Sequence, residues 1–99
     1  MRIRIPVLLA ALLLPVSAAA QSPGPSGQAM AQTCYVCHGP DGRSGGPVAS
    51  LAGLPREHIV RQMTEFRTGR RPGTVMNRIA RSYSEEQIGA IAEFIATLK

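Results

Sequence analysis

Both cysteines of this 99-residue chain fall in one stretch, Cys34-Tyr35-Val36-Cys37-His38. That C-x-x-C-H spacing is how a c-type haem is attached to protein. Two thiols three residues apart can each add to one vinyl group of the ring, and the next residue brings an imidazole under the iron. The motif therefore predicts one haem c, with Cys34 and Cys37 as covalent anchors and His38 as an axial ligand. No cysteine is left over for a disulfide framework or a four-ligand zinc site. A thioredoxin-like dithiol is the competing reading, but it needs a strand running into the motif, and none is readable before Cys34.

The first twenty residues predict export. Arg2 and Arg4 precede an apolar run from Val7 to Leu14, and Ala18-Ala19-Ala20 offers a small-residue cleavage site before Gln21. The run, interrupted by Pro15, is shorter than the roughly 20 residues that span a bilayer, so the expectation is a cleaved signal peptide and no stable membrane insertion. A retained signal anchor is the alternative. Export agrees with the motif, because bacteria attach c-type haem outside the cytoplasm, and it places the mature chain in the periplasm. Losing the leader removes two basic residues and leaves nine Lys and Arg against six Asp and Glu, a net charge of +3. With no basic stripe interleaved with aromatics, this charge gives no case for nucleic acid.

About 80 residues then remain, enough for one small domain with a marginal core, which a large apolar cofactor would complete. Residues 21–27 contain Ser22-Pro23-Gly24-Pro25-Ser26-Gly27, a run of breakers that reads as a flexible tether, so the domain is expected to cover 28–99. Ala29, Met30 and Ala31 suggest a short helix leading into the motif. The glycines and prolines from Gly39 to Gly53 predict a loop over one edge of the cofactor. Pro55 reads as a first-turn residue of a helix closed by Gly69, with Ile59, Met63 and Phe66 on its buried face. Thr74 to Ala80 reads as no more than a turn of helix. Ser84 and Gln87 form a capping box for a last helix, with Glu85 and Glu86 in its first turn and a stripe of Ile88, Ile91, Ala92, Ile95 and Leu98. No alternating strand pattern appears, so the fold class is all-α.

Whether the iron has a second protein ligand decides between electron transfer and small-molecule binding. Met30, His58, Met63 and Met76 are the candidates. Met30 sits just before the motif on the same short helix. Met63 lies in an apolar stripe, where a Met is usually core packing. His58 reads as a helix-surface residue. Met76 follows Pro72-Gly73 in irregular chain, where the backbone can bend a thioether over the face opposite His38.

At the level of whole segments the chain resembles the class I c-type cytochromes. CYVCHG, a Gly/Pro loop, a middle helix, a Met-bearing segment and SEEQIGAIAEFIATL follow that family's order. LAGLP and FRTGRRPGTVMNRIARSYSEEQ are similar to the haem subunit of flavocytochrome c sulfide dehydrogenase, and less so to the cytochrome c4 and c553 groups. VMNRIARSYS carries most of the specificity. The resemblance implies short helices packed around one haem, with Met76 as the second axial ligand. It also implies that Pro47 offers its carbonyl to the Nδ1 proton of His38, and that Arg70 and Arg71 lie near the propionates. In function it implies a non-catalytic electron carrier that takes single electrons from an FAD flavoprotein oxidising sulfide and hands them to a periplasmic acceptor. A free-standing shuttle of the c553 kind and a gas-binding or catalytic haem protein with a displaceable Met are the other readings. Some relatives have two haem domains where this chain has one. No nucleophile with a base, phosphate loop or acid/base pair is readable, Glu85 and Glu86 being explained by capping, and Tyr35 and Tyr83 read as half-buried aromatics or hydrogen-bonding neighbours of the cofactor.

Overall fold

A computed structural model describes residues 1–3, 6, 10–15 and 24–99. Arg4, Val7 to Leu9, the Ala18-Ala19-Ala20 cleavage site and the tether up to Pro23 lie outside the described residues. Among the described residues no helix is long and apolar enough to cross a membrane, and none forms a strand.

The first helix, α1 (Gly27–Gln32), starts where the Ser26 hydroxyl accepts the Ala29 N–H at 3.1 Å. That cap places the folded boundary at Ser26, so Gly27 belongs to the domain and not to the tether. Gly27 has a packing reason to be there. A β-carbon at this position would lie 2.2 Å from the Ala90 carbonyl oxygen of the last helix, so only glycine lets the two backbones approach this closely. Helix α2 (Tyr35–His38) is a single turn that carries Cys37 and His38 of the C-x-x-C-H motif, with Cys34 at its N-cap. It ends at Gly39, whose φ of 90° turns the chain back on itself. A short 3₁₀ turn follows at Pro40–Gly42. The Gly42 carbonyl then accepts the N–H groups of Leu51 and Ala52 at 2.8 and 3.1 Å, closing the intervening loop at its base.

Helix α3 (Arg56–Thr68) uses Pro55 as its N-cap, one residue earlier than a first-turn position. Gly69 terminates it in the left-handed conformation, φ 81°. Helix α4 (Met76–Arg81) is longer than the expected turn and begins at Met76 itself. Packing explains the difference, because Ala80 is fully buried in the core and Ile79 faces the cavity described below. Helix α5 (Glu85–Ala96) has the reciprocal capping box: Gln87 N–H donates to Ser84 Oγ at 3.1 Å and Ser84 N–H donates to Gln87 Oε1 at 2.9 Å. Its stripe of Ile88, Ile91, Ala92 and Ile95 is buried against α1 and α3. Each fully buried isoleucine contributes about 1.5–3 kcal/mol. Met30, Ala31, Ile59, Met63 and Ala80 complete this core.

Candidate cofactor site

A cavity of about 590 Å³ lies beside this core. That is within the roughly 300–1,000 Å³ of sites that hold small molecules and cofactors. Cys34, Cys37 and His38 line it, together with Val48 and Ala49 from the closed loop. Leu51 and Leu54, Ile59, Met63 and Phe66 of α3, Ile91 and Ile95 of α5, and the 72–76 segment with Ile79 of α4 form the rest of its apolar wall. The apolar lining and the two free thiols fit a covalently held apolar disc.

His38 is oriented by the loop. Its Nδ1 lies 2.5 Å from the Ala49 carbonyl oxygen, so Nδ1–H donates there and Nε2 is the ring nitrogen left to coordinate a metal. This corrects the carbonyl assigned to Pro47. Ser44 N–H donates to Ser50 Oγ at 2.8 Å, and that bond pins the base of the loop, bringing Ala49 against the imidazole, while Pro47 stays exposed nearer the tip. A backbone carbonyl has no side-chain signature, which is why sequence could not choose between the two. Burial pushes the Cys34 thiol up, partly offset by a hydrogen bond with the Thr33 side chain. The nucleophilic cysteine of a dithiol oxidoreductase has the opposite shift.

Of the four candidates for a second iron ligand, Met30 is buried in the core and does not line the cavity. Met76, Met63 and His58 all do. Met63 is buried in the α3 stripe and Met76, at the first position of α4, is half-buried. His58 was expected on the helix surface. It is instead half-buried, because it shares with Gln62 the edge of the stripe that turns toward the cavity. The i, i+4 polar pair beside Ile59 and Met63 was the available signal.

Neither Arg70 nor Arg71 lines the cavity. Arg70 is exposed. Arg71 is held by Glu65, with Nε donating to Oε2 at 3.0 Å and a terminal nitrogen 2.9 Å from the same oxygen, and its guanidinium lies 5.9 Å from the Phe66 ring centroid. Sequence reasoning also missed Asn77. Its Nδ2 donates to the carbonyls of Phe66 and Arg71, each at 2.8 Å, and its Oδ1 accepts the Gly73 N–H at 2.7 Å. One side chain thus fastens the end of α3 and the 70–73 loop to the start of α4, next to Met76. Tyr83 hydrogen-bonds Thr33 at 3.0 Å, while Tyr35 is half-buried away from the cavity.

The family model described as Cytochrome c matches residues 26–99, the whole folded region. The chain belongs to the cytochrome c family. Its fold is the all-α class I cytochrome c fold, and the family is one of electron-transfer proteins that bind haem c covalently. This cytochrome is 38% identical over 72 residues to the cytochrome subunit of sulfide dehydrogenase from Chlorobaculum tepidum, covering 73% of this chain and 66% of that protein. It is 38% identical over 72 residues to a thiosulfate dehydrogenase electron acceptor from Thiomonas intermedia, covering 70% of this chain and 33% of the relative. The solved cytochrome c4 of Acidithiobacillus ferrooxidans superposes with a TM-score of 0.63 at 38% identity, over 66% of this chain and 38% of that one. The cytochrome thus spans less than two thirds of each of these proteins.

Proposed function

We propose that this cytochrome is a periplasmic monohaem carrier, the haem subunit that takes single electrons from an FAD-containing sulfide dehydrogenase and passes them to a periplasmic acceptor. The observation that carries the reading is that one cavity is lined both by the Cys34, Cys37 and His38 motif and by the Met76 segment. In this reading Cys34 and Cys37 hold haem by two thioether bonds. Haem bound there supplies a one-electron couple at its iron. His38 gives the proximal nitrogen, held in its tautomer by the Ala49 carbonyl. Met76 is the second axial ligand, and a thioether opposite imidazole favours reduced iron and raises the potential.

The rim of the cavity supports docking of a redox partner. Val48 and Val75 line it yet remain 39% and 56% exposed, and Val36, between the two cysteines, is 88% exposed. Apolar contact at the centre with polar side chains around it suits an interface between redox proteins. The similarity to the sulfide dehydrogenase subunit supports a flavoprotein as the donor. The similarity to a thiosulfate dehydrogenase electron acceptor supports a second reading, a free-standing shuttle. The leader with Arg2, its apolar run and its small-residue site support export.

Stopped-flow absorbance at the haem band tests the division of labour. The isolated cytochrome should not turn over sulfide, and its haem should be reduced rapidly once the flavoprotein and sulfide are both present. Sustained sulfide turnover by the cytochrome alone would overturn the carrier role. No reduction with the flavoprotein, but rapid reduction by a thiosulfate dehydrogenase with its substrate, would transfer the assignment to the shuttle. High-spin spectra and rapid carbon monoxide binding by the native reduced protein would instead favour a gas-binding role.

A further inference from the structure

Haem carries two carboxylates, and a carboxylate against an apolar wall is strongly disfavoured unless hydrogen-bond donors meet it. Apart from the attachment motif, the cavity-lining side chains with nitrogen or oxygen atoms, among the described residues, are Thr33, His58, Gln62 and Thr74. Thr33 is engaged: its hydroxyl donates to the Met30 carbonyl at 2.7 Å and meets Tyr83 at 3.0 Å. Thr74 is exposed on its loop. His58 and Gln62 are half-buried on one edge of α3, one turn apart.

Their hydrogen bonds fix their polarity. Arg61 Nη2 lies 3.3 Å from His58 Nδ1. A guanidinium has only N–H groups, so Nδ1 accepts and the imidazole proton sits on Nε2. The Gln62 amide nitrogen, Nε2, lies 3.3 Å from His58 Nε2. Two donors cannot pair, so the amide oxygen and nitrogen are exchanged, the oxygen accepting that N–H and the NH₂ left as an unused donor pair. The result is a cationic guanidinium behind an imidazole whose one N–H goes to the Gln62 oxygen, with the Gln62 NH₂ as the donor left at the cavity wall.

We infer that the Gln62 amide, oriented by His58 and Arg61, forms the seat of a haem carboxylate. This seat rests on the reading that the cavity holds haem. Arg61 acts through His58, and His58 through Gln62, so both are positioning residues. Removing the donors leaves the carboxylate charge less neutralised, which favours oxidised iron and lowers the midpoint potential.

Resonance Raman spectroscopy of the propionate bending modes, with a spectroelectrochemical titration, on the holoprotein and its variants tests this. His58→Leu and Gln62→Leu should each shift a propionate mode and lower the midpoint potential, while the low-spin spectrum is retained. His58→Gln keeps an N–H donor and should restore most of both values, and Arg71→Ala should leave both unchanged. Unchanged modes in Gln62→Leu and in whichever His58 variants load haem would overturn the seat, as would a mode shift in Arg71→Ala alone. A wild-type protein without covalent haem would remove the cofactor reading itself, and the seat with it.

Discussion

Met76 and Met63 both reach the cavity wall, yet their positions predict different consequences for the same substitution. Met63 is 8% exposed within the α3 stripe, packed in the core with Ile59. Truncating a buried Met leaves a cavity and costs about 2–5 kcal/mol. Met76 is half-buried at the first position of α4, so its loss should disturb packing less. Met63→Ala is therefore expected to lower the denaturant midpoint while keeping the near-infrared band of thioether-ligated iron. Met76→Ala should lose that band, turn the iron high-spin or exchangeable, and lower the potential. If Met63→Ala loses the band and Met76→Ala keeps it, the ligand assignment is reversed. The neighbouring imidazole, His58, would be implicated if both variants stayed low-spin.

At the level of elements, α4 lacks a side-chain N-cap of the usual kind, because Val75 precedes it. Asn77, in its first turn, instead clamps the helix to the preceding segment, joining the α3 end at Phe66 to Arg71 and Gly73. The loop it fastens includes Pro72, Gly73, Thr74 and Val75, which line the cavity. Asn77→Leu strands three backbone groups. Each costs about 1–3 kcal/mol if left unpaired and buried, and less where water can replace the amide. The expected outcome is a lower denaturant midpoint together with a weakened thioether band, since the loop leading to Met76 is loosened. Asn77→Asp keeps an acceptor for the Gly73 N–H but loses both donors, so it should lie between wild type and Asn77→Leu. A normal midpoint and band in Asn77→Leu would show that the clamp is dispensable.

Across the whole molecule, core and cavity share walls. Ile59, Met63, Ile91 and Ile95 belong to the buried core and also line the cavity. An apolar cofactor thereby completes the packing of α3 and α5, and covalent attachment keeps it there. Replacing Cys34 and Cys37 together by Ala should abolish haem staining on denaturing gels. It should also leave a largely unfolded chain, visible as lost helical circular dichroism, because a domain of this size has little core to spare. Undiminished staining in the double variant would place the attachment elsewhere.

Local signals account for much that was legible beforehand. The Cys34 to His38 spacing, the Gly69 stop, the Ser84–Gln87 capping box and the α5 stripe are short-range patterns, each set by a few neighbouring residues and by helical periodicity. The tertiary structure decided what depends on contacts between distant segments. Ala49 rather than Pro47 faces His38, because a hydrogen bond between Ser44 and Ser50 sets the loop, and a carbonyl is common to every residue. Gly27 joined the domain because α5 passes too close for any side chain. Arg71 pairs with Glu65, and His58 was turned toward the cavity by the packing of the stripe beside it. Composition and spacing can nominate such groups, but which partner each one meets is fixed by how the helices pack.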